Sequence, residues 1–178
     1  MKVLVAYASK YGATEGIANR IGEALRKRGL EVDVTRCEGQ REASGYDAYV
    51  VGSATYAFNW RKDARKFVER NADELSAHPT WLFSSGPVGT ETVDKDGNDV
   101  LKGAEPKQFA VYGDLVHPRG MQVFRGAFDH DKIRGGDRII AWMPAIRDIL
   151  PDGDFREWDA IDAWADSIAD DLGVTARS

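Results

Sequence analysis

The residues best suited to chemistry lie near the N-terminus, in the run Ser9-Lys10-Tyr11-Gly12-Ala13-Thr14. A short apolar stretch precedes it and a helical pattern follows, so the run occupies a turn from strand to helix. In an α/β sheet ligands settle at the carboxyl ends of strands, and a helix N-terminus offers unpaired backbone N–H groups and partial positive charge to an anion. Ser9 and Thr14 add hydroxyl donors, and Gly12 lets the backbone approach an anion closely. Lys10 either supplies charge or faces solvent. The triphosphate loop G-x-x-x-x-G-K-S/T and the dinucleotide fingerprint G-x-G-x-x-G are both absent. A phosphorylatable receiver domain would place acids at the end of the first strand, where this chain has Tyr7-Ala8-Ser9. The run predicts a site for a single phosphate.

Other candidates carry less. His78, His117 and His130 are widely separated, with no spacing that suggests ligation or a relay; His117 and Arg119, flanking Pro118, form the pair to test first. Cys37 is the only cysteine, which excludes an internal disulfide and predicts a small buried apolar role. Asp94, Asp96, Asn98 and Glu105 echo part of a calcium loop, but its sixth position is Asp99 instead of glycine, so a tight turn at Asp96-Gly97 is the simpler reading and no metal site is expected. Arg61, Lys62, Arg65 and Lys66 form a basic cluster that reads either as a landing site for an anionic substrate or as the solvated face of a helix.

The elements that must position these residues alternate strand and helix, the pattern of βαβ units and a parallel sheet. The first strand is Lys2 to Tyr7, followed by a helix whose stripe is Ile17, Ile21 and Leu25 and whose end is capped at Gly29. A second strand runs Glu31 to Thr35, and Arg36 to Gly45 crosses as a loop or brief helix. The third strand is Ala48 to Ser53, with Ala54 to Trp60 as a loop. Ala64, Phe67, Val68, Asn71 and Leu75 mark one further helix before the strand Thr80 to Ser84. Pro87 to about Pro106 is a long excursion of the kind used for lids and substrate loops. A fifth strand is expected at Met121 to Phe128. In the last helix Asp154 and Glu157 resemble a capping box, Trp158, Ile161, Ala165, Ile168 and Leu172 form the stripe, and Gly173 ends it.

The 178 residues, 43% hydrophobic and 30% charged, suit one globular domain, 1–178. A formal net charge of -5 argues against a nucleic-acid partner. No run reaches the roughly 20 apolar residues of a membrane span, which leaves a cytoplasmic location with peripheral contact to the inner face of a membrane still open. Ile139-Ile140-Ala141-Trp142-Met143 with Ile146, Ile149 and Leu150 reads as core, with membrane docking or a homodimer contact as the alternatives.

With these residues in view, the chain resembles the flavodoxin family, whose phosphate loop runs S/T-x-S/T-G-x-S/T after an apolar N-terminal strand. Tyr11 departs from that pattern, replacing a small hydroxyl residue. Within the superfamily, Tyr7 to Ala18, Tyr46 to Trp60 and Trp158 to Ala169 look closest to the branch that includes menaquinone-dependent protoporphyrinogen oxidase. The resemblance implies a flavodoxin-like three-layer α/β sandwich with a five-stranded parallel sheet in order 2-1-3-4-5. It implies FMN as cofactor, with a related deazaflavin as a variant, held at its phosphate by Ser9, Lys10, Tyr11, Gly12, Ala13 and Thr14. The isoalloxazine would lie between Ala54, Thr55, Tyr56, Ala57, Phe58, Asn59 and Trp60 on one side and Ser84, Ser85, Gly86, Pro87, Val88, Gly89 and Thr90 on the other. Tyr56, Phe58 and Trp60 then supply aromatic area for stacking. One-electron carriers of the family have a glycine in the loop after the third strand, where a peptide flips toward the flavin; between Ser53 and Arg61 this chain has none. The expectation is an oxidoreductase taking a hydride from a small-molecule substrate and passing electrons onward, to a quinone in that branch. An electron carrier serving a redox partner protein and a cofactor-free binding module are the alternatives.

Overall fold

A computed structural model describes residues 1–39, 42–129 and 152–174. The chain opens with β1 (Lys2–Ala8), α1 (Ala13–Lys27), β2 (Glu31–Arg36) and β3 (Ala48–Tyr56). There follow β4 (Asn59–Trp60), α2 (Lys62–Arg70), α3 (Ala72–Ala77) and β5 (Thr80–Ser85). Beyond the excursion come α4 (Val100–Gly103), α5 (Lys107–Val116), β6 (Gly120–Phe124), β7 (Ala127–Phe128), β8 (Gly153–Asp154) and α6 (Trp158–Asp171). The parallel strands stand in the order β2-β1-β3-β5-β6, which is the flavodoxin-like 2-1-3-4-5 arrangement expected for five strands.

The sheet is buried on both faces, so its central strands are continuous apolar runs. Val3, Val5 and Tyr7 of β1 pack with Ile17, Ile21 and Leu25 of α1 and Ile161, Ala165 and Ile168 of α6. Leu4, Ala6 and Ala8 face the other way, into a core shared with Ala64, Phe67 and Val68 of α2, Leu75 of α3 and Phe109, Tyr112 and Val116 of α5. The expected stripe of α1 is fully buried, and Gly29 adopts φ +93° just past the helix end, the left-handed cap that glycine suits. Arg20 makes two hydrogen bonds to Asp162, at 2.6 and 2.5 Å, and ties α1 to α6.

Four expectations need correction. The third strand runs on to Tyr56 because Thr55 and Tyr56 pair antiparallel with Trp60 and Asn59, so Ala54 to Trp60 is largely a hairpin. The helix expected through Leu75 breaks at Asn71, whose side-chain amide donates to Phe67 O at 2.8 Å and accepts from Ala43 N at 3.0 Å, tying the junction of α2 and α3 to the segment before β3. The strand expected at Met121 to Phe128 ends at Phe124, and Ala127–Phe128 pairs instead with Gly153–Asp154. The capping box at Asp154 and Glu157 is not formed: Asp154 is held by Arg156 at 2.7 and 2.6 Å, and Glu157 makes no side-chain cap. The Asp96-Gly97 turn is present, with the Asp94 carboxylate accepting from the N–H of Asp96 at 2.8 Å and of Asn98 at 2.9 Å. Ile139 to Leu150 and His130 lie outside the described residues.

Candidate functional site

A cleft of about 270 Å³ opens at the carboxyl ends of β1, β3, β5 and β6. Its first wall is Ser9, Lys10, Tyr11, Ala13 and Thr14. Gly12 is the N-cap of α1 at φ +91°, a left-handed conformation that glycine adopts without the cost a side chain would bring. Its N–H donates to Ser9 Oγ at 3.1 Å, and its carbonyl accepts from Gly16 N at 3.0 Å. Nothing lies within 4 Å of the place a Cβ would take there. The decisive atom is Thr14 Oγ1, which is buried and has no hydrogen-bond partner among the described residues. A buried hydroxyl left unpaired costs on the order of 1–3 kcal/mol, and this one stands in the first turn of a 15-residue helix, among the residues that line the cleft. The Lys10 ammonium sits 5.1 Å from the centre of the Tyr11 ring.

The second wall is Ala54, Thr55, Tyr56 and Ala57, where β3 turns into β4. The two central residues of this hairpin, Ala57 (φ +47°) and Phe58 (φ +61°), are both left-handed. That is the geometry of a type I′ hairpin turn, which glycine or asparagine normally supply. The hairpin is nevertheless fixed: Asn59 Nδ2 donates to Ala57 O at 2.8 Å, and Lys107 N donates to Phe58 O at 2.9 Å. Of the three aromatic candidates only Tyr56 lines the cleft. Phe58 is exposed at the hairpin tip, and Trp60 is buried in the core, edge-on to Phe109 and Tyr112 at 6.1 and 5.7 Å. Trp60 Nε1 donates to Ser84 Oγ at 3.3 Å, and Ser84 also shares a hydrogen bond with Thr55 Oγ1, so Ser84 braces the two walls from behind.

Ser85, Gly86, Pro87 and Val88 form the third wall. Gly12, Phe58, Asn59, Trp60, Ser84, Gly89 and Thr90, all expected at the site, are not among the lining residues. A fourth segment, Gly126, Ala127 and Phe128, was not expected and does line it. Its signal in the sequence is the glycine at 126 just after the apolar pair Val123-Phe124, since ligands gather where strands end.

The remaining candidates lie elsewhere. None of Arg61, Lys62, Arg65 and Lys66 lines the cleft; Arg61 faces Asp63 at 3.5 Å. Lys66 borders a separate hollow of about 630 Å³ with Cys37, Glu38, Glu42, Asp63, Phe67 and Arg70. Burial pushes the Cys37 thiol well above its ordinary range, which fits the apolar role expected of it. His117 ends α5 at φ +46°, and Arg119 lies over the Trp81 ring at 5.8 Å, at the amino end of β6 and so at the opposite end of the strands from the cleft. His78 Nδ1 lies 2.9 Å from Glu74 O.

With fold and cleft established, comparison with known proteins gives the class. Residues 4–148 match the family model described as Flavodoxin domain, and the chain belongs to that family. Among its curated relatives, an NAD(P)H dehydrogenase (quinone) of Bradyrhizobium sp. strain BTAi1 is 28% identical over 163 residues, covering 76% of this chain and 78% of the relative. The protoporphyrinogen IX dehydrogenase (quinone) of Escherichia coli K12 is 26% identical over 86 residues, 47% of this chain and 48% of the relative. Among solved structures, a flavodoxin from the domain Archaea superposes with a TM-score of 0.59 at 17% identity, over 97% of this chain and 99% of the other. The rubredoxin oxygen:oxidoreductase of Desulfovibrio gigas gives a TM-score of 0.63 at 15% identity, over 97% of this chain and 36% of the other.

Proposed function

We propose that the chain is a single-domain FMN-dependent oxidoreductase that passes electrons to a quinone. The carrying observation is the unpaired Thr14 hydroxyl at the head of α1, inside the cleft. It fits a terminal phosphate, with the Ser9 hydroxyl and the free N–H groups of the first helical turn as further donors. Ala54 to Ala57, Ser85 to Val88 and Gly126 to Phe128 would hold the flat ring, with Tyr56 offering an aromatic face. FMN, when bound, supplies the redox chemistry; the residues of this chain bind it, orient it and limit its access to water.

Two relatives named as quinone dehydrogenases support a quinone as acceptor. Both carbonyls of the Ala57-Phe58 turn already have donors, which supports a fixed hairpin and two-electron transfer over a reorienting loop and single-electron shuttling. Among the described residues no helix is long and apolar enough to cross a membrane. The test is the visible spectrum of purified protein with and without added FMN: a stoichiometric yellow complex is expected, and a colourless protein that takes up no FMN overturns the reading. Anaerobic reductive titration should then show one two-electron step. Two well-separated one-electron steps would favour the electron-carrier alternative.

A further inference from the structure

We infer that Arg125 is a positioning residue for the flavin ring, fixing the wall built from the segments after β5 and β6; the inference rests on the FMN reading above. Arg125 is a buried guanidinium, 5% exposed. Burying that charge is unfavourable unless its donors are met, and here they are met by one short stretch of backbone. Nη1 donates to Gly89 O at 2.7 Å and Nη2 to Glu91 O at 2.6 Å, while Nε lies 3.7 Å from the half-exposed carboxylate of Glu157.

The position of Arg125 in the chain matters as much as its bonds. The next residue, Gly126, lines the cleft and donates its N–H to Pro87 O at 2.9 Å, and Gly86 N in turn donates to Phe124 O at 3.1 Å. The two segments therefore touch: a Cβ on Gly126 would stand 3.2 Å from Gly86 O and 3.5 Å from Ser85 Oγ. Arg125 closes this unit from outside, holding residues 89 and 91 so that Gly86 to Val88 is anchored at both ends. Gly89 takes φ +107° at the point where the chain bends back to meet the guanidinium. Among the described residues, no bond of Arg125 reaches the phosphate loop. Its effect belongs to the ring and not to the phosphate.

The experiment compares FMN with riboflavin, which has the ring and lacks the phosphate, on the full chain at a temperature where each variant is folded. Arg125→Ala should weaken FMN and riboflavin by the same factor, about tenfold, as expected for losing charge-assisted hydrogen bonds that hold a binding wall. Arg125→Lys, which can satisfy one of the two carbonyls, should recover part of the loss. Gly126→Ala crowds the same wall and should also weaken both ligands alike, so it carries the comparison if Arg125→Ala does not fold. Thr14→Val should weaken FMN alone. Unchanged affinities in Arg125→Ala, a loss confined to FMN, or a wild-type chain that takes up FMN but shows no affinity for riboflavin each overturn the inference and leave the FMN reading standing. A wild-type chain that takes up neither flavin overturns both.

Discussion

Thr14 separates binding from stability. Its hydroxyl is buried without a partner among the described residues, so removing it should stabilise the protein without FMN while harming the complex. Thr14→Val keeps the side-chain volume and is expected to gain about 1 kcal/mol in unfolding free energy without ligand, while weakening FMN about tenfold. Thermal unfolding with and without FMN reads both effects, and a variant that loses stability in both states would show the hydroxyl to be satisfied. Residue types alone singled out Ser9 to Thr14, a run of hydroxyls and a glycine between strand and helix, and all of it but Gly12 lies along the cleft. They failed at Trp60: an indole and a solvent-facing phenyl look alike in sequence, and only the register of β3 against β4 assigns Trp60 to the core and Phe58 to the tip.

At the scale of elements, the β3–β4 hairpin carries strain. Ala57 and Phe58 hold left-handed backbone that costs L-residues roughly 1–2 kcal/mol each, and Ala57 is exposed, with little packing to lose. Ala57→Gly should therefore stabilise the protein by about 0.5–1 kcal/mol after the entropy of glycine is deducted. The urea midpoint should rise with an unchanged slope; a fall would show that the turn is not left-handed in solution. The junction of α1 and α6 responds to pH. Hydrogen bonds from Arg20 hold the Asp162 carboxyl below its ordinary value. Because the folded value is the lower one, the stabilisation is fully present above the unfolded carboxylate pKa of about 3.9 and is lost as pH falls through the folded value. The stability gap between wild type and Asp162→Asn should thus be widest near neutrality and close in acid, as melting curves against pH would show. Short apolar runs, helical stripes and the glycines that end the helices at 29 and 173 made β1, α1, β2, β5 and α6 legible from sequence. The break at Asn71 and the end of β6 were not, since Asn71 is engaged by distant Ala43 and Ala127–Phe128 pairs with Gly153 and Asp154, far along the chain.

For the whole molecule, a ligand that binds only the folded chain raises its melting temperature by mass action. FMN at a hundred times its dissociation constant should add about 2.7 kcal/mol to the unfolding free energy, and a melting temperature indifferent to FMN concentration would count against the cleft as a flavin site. The same architecture carries its own optical gauge. The Trp60 indole is locked behind the cleft through Ser84, whose neighbour Ser85 lines it, so any yellow chromophore seated there lies within reach of its excited state. Ultraviolet emission should dim as the cleft fills and brighten as it empties, letting occupancy be followed in real time without a label.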